Sequence, residues 1–136
     1  MTNILFDAQQ ALFDALSANA DVQALLGENP RLYDYVPQGA VYPYVVYGPA
    51  RVTPYDAKND ASFEQIVTFN VWSQYRGGKE TRALFQALYN VLHRAEIALD
   101  GNPFLYAEFH SADFALDSDG LTYHAAVRFT VITQNA

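Results

Sequence analysis

The run Asn70-Val71-Trp72-Ser73-Gln74-Tyr75-Arg76-Gly77-Gly78-Lys79-Glu80 sets a glycine pair and a lysine between a hydrophobic stretch and a helical one. A nucleotide-binding protein cradles phosphate at such a junction. The cradle needs Gly, four residues, then Gly-Lys-Ser/Thr, so that successive backbone N–H groups wrap the phosphates and the hydroxyl holds magnesium. Here Ser73 occupies the first glycine position and Glu80 the hydroxyl position. Both chemically required places fail. Gly77 and Gly78 therefore read as a strand-to-helix reversal, with Lys79 and Glu80 in the first helical turn.

His93, His110 and His124 are the only histidines, and the chain has no Cys. None of the three has a second metal-type residue at His-Glu-x-x-His spacing, so no metal site is expected. His124, Asp113 and Ser111 are the closest approach to a hydrolase. His124 would face Asp113 across a C-terminal hairpin whose loop takes four residues, and Ala115 if the loop takes two. Ser111 lacks a nucleophile elbow, and triads are defined by a geometry that nothing in the sequence demands. Asp117 and Asp119 fall in the turn itself, where turn chemistry alone favours Asp. No catalytic, cofactor-binding or metal-binding residue is assigned.

Tyrosine and charge carry more information. Of ten tyrosines, six lie between Tyr33 and Tyr55, among prolines. Tyr packs with its ring and reaches a partner or water with its hydroxyl, which suits protein interfaces. Tyr42, Tyr44, Val46 and Gly48 share one side of an extended segment, with Val45 and Tyr47 on the other, so both sides cannot be buried in a two-layer fold. Eight Lys plus Arg against fifteen Asp plus Glu give a formal net charge of −7. That disfavours tight nucleic-acid binding, which draws on cations that neutralise phosphates. Arg76, Lys79, Arg82 and Arg94 nevertheless fall in one segment, as a charge-complementary contact or as a solvated helix face. Candidate contact residues are Tyr42, Tyr44, Tyr47, Tyr55, Asp56, Asp60, Arg76, Lys79 and Arg82, with Asp56 and Asp60 as counterparts for the cations.

The elements that must hold these residues follow from periodicity. Leu5, Ala8, Leu12 and Leu16 recur at helical spacing, with Phe6 and Phe13 widening the stripe. Asn19 or Asp21 can cap a short second helix that carries Val22, Leu25 and Leu26 and ends at Gly27. "RLYDYV" and "YPYVVYG" read as extended segments joined by a turn, with Pro43 at a strand start or on an edge. Gly48 to Ser62 has two prolines and little period, and reads as a long, mobile loop. Phe63, Val67, Phe69 and Val71 alternate with Glu64, Thr68 and Asn70 along a half-buried strand, Gln65 being the exception. Leu84, Leu88, Val91 and Ala95 make a long helix, "LDGNPF" a turn. "FLYAEFHSADFAL" and "LTYHAAVRFTVI" flank Asp117-Ser118-Asp119-Gly120 as a hairpin. Its core face carries Ala112, Phe114 and Leu116 against Leu121, Tyr123, Ala125, Val127, Phe129 and Val131 in either register. Glu64, Thr68, Asn70, Thr122, His124, Arg128 and Thr130 then form the sheet's polar face.

The order implies an α+β fold: a two-layer sandwich of a mostly antiparallel sheet with two main helices packed on one face. At 136 residues, 51% hydrophobic and 17% charged, the chain is expected to form a single domain over 1–136. No apolar run approaches the roughly 20 residues of a membrane helix. Asp7 and Asp14 interrupt the first apolar stretch, so no signal peptide is expected.

"RLYDYVPQGAVYPYVVYGP", "VTFNVWSQYRGGKETRALFQALYNVLH" and "DSDGLTYHAAVRFTV", in this order after an amphipathic helix, resemble the small tail-completion (tail-terminator) proteins of tailed phages and gene transfer agents. The resemblance rests on Pro43-Tyr44-Val45, on Val71-Trp72-Ser73 before a glycine turn and helix, and on Asp119 to His124. It implies a subunit of a ring, usually hexameric, that caps the tail tube and joins it to the head-side connector or adaptor. DNA would pass through the hole without specific binding. The implied place is the virion or phage-like particle, assembled in the bacterial cytoplasm, and no catalytic residue or cofactor comes with the family. The alternatives are another neck or head-completion component, and a small hydrolase using His124, Asp113 and Ser111.

Overall fold

A computed structural model describes residues 3–54, 62–99 and 103–135. The chain opens with helix α1, Ile4–Ser17. Asn3 Oδ1 accepts hydrogen bonds from Leu5 N and Phe6 N, each at 3.1 Å, which satisfies two of the four amides that a helix start leaves free. Ala8, Leu12 and Leu16 form its buried stripe, as the spacing requires. Helix α2, Ala20–Leu26, is capped by Asn19, whose Oδ1 lies 2.9 Å from Asp21 N and 3.1 Å from Val22 N, and it stops at Gly27, whose φ is +100°.

Strands β1 (Leu32–Tyr33), β2 (Tyr44–Pro54) and β3 (Phe63–Ser73) follow, then helix α3 (Lys79–Leu92) and strands β4 (Ala95–Ala98), β5 (Pro103–Leu116) and β6 (Tyr123–Asn135). The fold is α+β. Its six strands form one mixed sheet in the order β1-β2-β3-β6-β5-β4, in which β1 and β2 run parallel and the other neighbours antiparallel. The helices place Leu12, Leu16, Val22, Leu84 and Leu88 in one cluster with Val45, Phe69, Val127 and Phe129 from the sheet.

Three readings of the chain change. Gly48 to Pro54 is not loop: it continues β2 along β3, from Ala50↔Val67 to Pro54↔Phe63. A register shift between Tyr47 and Ala50 absorbs Gly48 and Pro49, so the proline's missing N–H costs no ladder bond. The remainder of that expected loop, 55–61, lies outside the described residues, as do residues 100–102 of the expected turn. Ala95 belongs to β4 and not to the long helix. Leu92 is the last helical residue, Arg94 takes φ +61°, and Ala95 pairs with Ala107.

The hairpin keeps its expected parity, with Ala112↔Val127, Phe114↔Ala125 and Leu116↔Tyr123. A bulge between Phe109 and Ser111 switches the inward set of β5 from Leu105, Ala107 and Phe109 to these even-numbered residues. The expected core face ends early, however. Phe114, Leu116 and Leu121 are exposed, by 37%, 51% and 57%. Thr122 is buried instead of facing outward: its N and Oγ1 bond to Asp119 at 2.8 and 2.7 Å, and its Oγ1 also accepts from Gln74 Nε2 at 3.1 Å. Those bonds from Thr122, with a further one from Leu121 N, hold the Asp119 carboxyl below its ordinary value.

Candidate functional site

The sheet's outward face is built by alternation. On β3, Val67, Phe69, Val71 and Ser73 point to the core, which turns Thr68, Asn70 and Trp72 outward. On β6, Val127 and Phe129 are inward, so His124 and Arg128 share the outer face, and Trp72↔His124 are direct partners. Their rings stack at 4.1 Å between centroids with planes 15° apart. His124 Nε2 donates to Asn70 Oδ1 at 2.8 Å, two residues along the same face. Toward β1, Tyr44 lies opposite Trp72, and its ring sits 5.9 Å from Tyr33 and 5.1 Å from Tyr42. An outward aromatic cluster therefore crosses four strands, at the end of the sheet where β3 finishes.

Of the expected contact residues, Tyr42 and Tyr44 belong to this cluster. Tyr47 does not: it packs inward, 5.7 Å from Phe13 and 5.4 Å from Phe69, and burial pushes its hydroxyl up to about 12. Tyr44 is also raised, first by desolvation and then by Tyr42 beside it. Tyr55, Asp56 and Asp60 lie outside the described residues. Arg76, Lys79 and Arg82 are exposed together at the start of α3, and the Arg82 guanidinium lies 4.8 Å from the centre of the Phe114 ring. Tyr33 and Trp72 were not among the expected residues, although Trp72 shares the parity of Asn70 and could have been placed by it.

The glycine pair makes a turn. Gly77 takes φ +77°, Gly78 precedes α3, and Ser73 holds the corner, accepting from Tyr75 N at 3.1 Å and donating to Glu80 Oε1 at 2.7 Å. The hydrolase constellation is not assembled. Ala115 lies opposite His124 and Ala126 opposite Asp113, while Asp117 N bonds to Thr122 O at 2.7 Å and closes the turn. Asp113 Oδ2 pairs with Arg128 Nη1 at 2.7 Å, and Ser111 Oγ lies 2.9 Å from His110 Nδ1. His124 is thus committed to Asn70 and Trp72, away from Asp113 and Ser111. Among the described residues no group of three His, Asp or Glu could hold a metal ion.

His124 has a pH consequence. Desolvation lowers its pKa from 6.5, Asp117 opposing this and Arg128 reinforcing it. A depressed folded value means that the unfolded chain takes up the proton first, so stability is full above pH 6.5 and is lost as pH falls through the lowered folded value. Wild type should therefore lose more stability than His124→Gln between about pH 7.5 and 5 in urea titrations. Parallel losses would show that the imidazole does not couple to folding.

Residues 10–134 match the family model described as "Tail completion protein gp17". The chain belongs to that tail completion family. Membership makes it a structural protein of a phage-type tail and a component of a virion or phage-like particle. A search of curated proteins finds no match. Among solved structures, a chain from "Virion of native gene transfer agent (GTA) particle" superposes with a TM-score of 0.87 at 23% identity, covering 99% of this chain and 100% of that one. At that identity the likeness speaks for the fold, and it covers every element of the tail completion protein described above. No described helix is long and apolar enough to cross a membrane.

Proposed function

We propose that this tail completion protein is one subunit of a ring, hexameric, that terminates the tail tube and joins it to the head-side connector or adaptor. The family match over residues 10–134 carries the reading. The protomer supports it physically. Read as a two-layer sandwich, the helices cover one face of the sheet and leave the other to partners. That open face carries the Tyr33–Tyr42–Tyr44 cluster and the Trp72–His124 stack, where aromatic rings can bury area at small entropic cost.

β1 covers only Val45 and Val46 of β2, and β4 only Phe104 to Ala107 of β5, so β2 from Tyr47 and β5 from Glu108 carry an outer edge that no described strand covers and that a neighbouring copy can take, beside the Tyr-rich segment. A contact between different patches on successive copies closes into a ring when the rotation permits. In this reading Tyr42, Tyr44, Arg76, Lys79 and Arg82 make contacts, with Asp56 and Asp60 as possible counterparts. The protein works by docking and turns over no substrate. The net charge of −7 suits a lumen that repels DNA weakly and lets it slide without specific binding. Assembly would take place in the bacterial cytoplasm, before the particle leaves the cell.

Native mass with negative-stain imaging tests the ring. The expected particle is an annulus of about six times 15.2 kDa, alone or on the tip of purified tail tubes. A species that stays at 15.2 kDa at high concentration and in the presence of both tube and connector proteins would overturn the reading.

A further inference from the structure

A groove of about 410 Å³ runs between α1 and the outermost strand of the sheet, β4. Its floor is apolar and small-featured: Ala11 and Ala15 from the helix, Ile97 from the strand and Leu99 just after it. Its rim is acidic. Asp7 and Asp14 stand one above the other on α1, seven residues apart, and Gln10 between them donates its side-chain N–H to Asp14 at 3.0 Å. Asp14 is exposed in the second half of α1, whose last turn has no basic residue to offset the carbonyl end of the helix.

The start of α3 has the opposite character. Arg76, Lys79 and Arg82 are three of the chain's eight cations and stand at the helix end that already carries partial positive charge. The carboxylate of that turn, Glu80, is occupied by the Ser73 hydroxyl. Among the described residues the one ion pair is Arg128–Asp113, so no described residue forms an ion pair with the acidic rim or with the basic corner.

Register puts the two features at opposite ends of the molecule. Ile97 pairs with Leu105 and Leu105 with Thr133, opposite Phe63 where β3 begins, whereas the basic corner follows Ser73 where β3 finishes. The rim cannot meet the corner of its own chain across that span, since α3 alone is roughly 21 Å long. It can meet the corner of the next copy. Because the rest of the body is acidic, a copy docked in most other orientations would bring like charge to the rim.

We propose that the acid-rimmed groove between α1 and β4 receives the Arg76–Arg82 corner of a second copy, in a head-to-tail contact. This rests on the ring reading and names the surfaces that would form the ring. The apolar floor would accept the aliphatic stems of the incoming Lys79 and Arg82 side chains while their heads pair with Asp7 and Asp14.

The absence of cysteine makes the contact directly testable by cross-linking. Gln10→Cys places a thiol in the groove, and Tyr75→Cys places one beside the corner, at a position 53% exposed. The double variant, oxidised at the concentration at which native mass is measured, should give a ladder of disulfide-linked multimers, while each single variant gives at most dimers. Adding Asp7→Lys and Asp14→Lys to the double variant should weaken the ladder by about tenfold or more. Mixing that protein with one carrying the two cysteines together with Arg76→Glu and Lys79→Glu should restore it in alternating copies, which also shows that both reversed proteins fold. A ring in the native mass without the ladder, or a ladder indifferent to the reversals, overturns this contact and leaves the ring reading standing. A ladder that grows without limit as concentration rises supports the contact and counts against ring closure. No multimer by either measure overturns both.

Discussion

Phe129→Ala is expected to destabilise the folded chain by about 3–5 kcal/mol, the range for emptying a buried aromatic site. That is a large share of the roughly 5–15 kcal/mol that holds a typical domain. Phe129 is fully buried and sits in a run of edge-to-face rings that crosses the molecule. Its ring lies 6.0 Å from Phe69 and 5.9 Å from Phe109, with interplanar angles of 77° and 74°. Phe69 continues to Tyr47 at 5.4 Å and Tyr47 to Phe13 at 5.7 Å, while Phe109 continues to Phe85 at 5.5 Å. Removing the middle ring therefore loosens α1, β2, β3, β5, β6 and α3 together, and the cavity has no single flexible neighbour to fill it. Thermal scans should show a fall on the order of 10 °C or more. Phe104→Ala is the control: that ring is 38% exposed near the start of β5, and its loss should cost about 1 kcal/mol or less. Equal, small losses for the two variants would mean that the ring series is not the core.

The same series shows what could be read along the chain and what could not. Ala8, Leu12 and Leu16, the alternation through Phe69 and Val71, and the parity of Val127 and Phe129 were legible because each depends on a local period. The two sides of β2 were legible as well, but which of Tyr44 and Tyr47 is core was not: it is decided by Phe69 and Phe13, in elements far along the chain. β4 was hidden because Ala95 continues the helical stripe of Leu84, Leu88 and Val91. The stop comes from Arg94 in the left-handed region and from pairing with β5, neither of which a period reveals. The second half of β2 was hidden behind Pro49 and Pro54, which read as breakers until a bulge and a strand end accommodate them. For His124 both hairpin registers were consistent with the pattern. The Asp117–Thr122 bond selects the one that separates His124 from Asp113, and with it the hydrolase arrangement loses its geometry. The outer aromatic cluster was half legible: Tyr42 and Tyr44 stood out by composition, whereas Trp72 and Tyr33 join them only once the strands are ordered.

Gly48→Val should disrupt that cluster from the far side of β3. Space, not a left-handed φ, demands glycine here: a Cβ at position 48 would stand 2.6 Å from Asn70 Nδ2 and 3.1 Å from the carbonyl oxygen of Thr68. The Thr68 carbonyl is part of the β3 backbone, which is held against β6 in register at Thr68↔Arg128, whereas the Asn70 amide ends a side chain, so the amide is the group that moves. Asn70 Oδ1 is the partner of His124 Nε2, and His124 stacks on Trp72, so the displacement is passed to the indole two strand positions away. The expected cost is about 1–3 kcal/mol, as for other overpacked sites. Trp72 is the only tryptophan, so its emission reports on the cluster without interference, and a shift toward longer wavelength is expected as the stack opens to water. Asn70→Ala removes the atom that the new side chain would strike. The double variant should accordingly be less destabilised than the sum of the two single variants, a coupling of about 0.5 kcal/mol or more. Strict additivity would place the strain on the Thr68 backbone instead. An unchanged melting temperature and an unchanged Trp72 emission in Gly48→Val would mean that β2 and β3 yield at this point, and that the outer cluster does not depend on the close approach of the two strands.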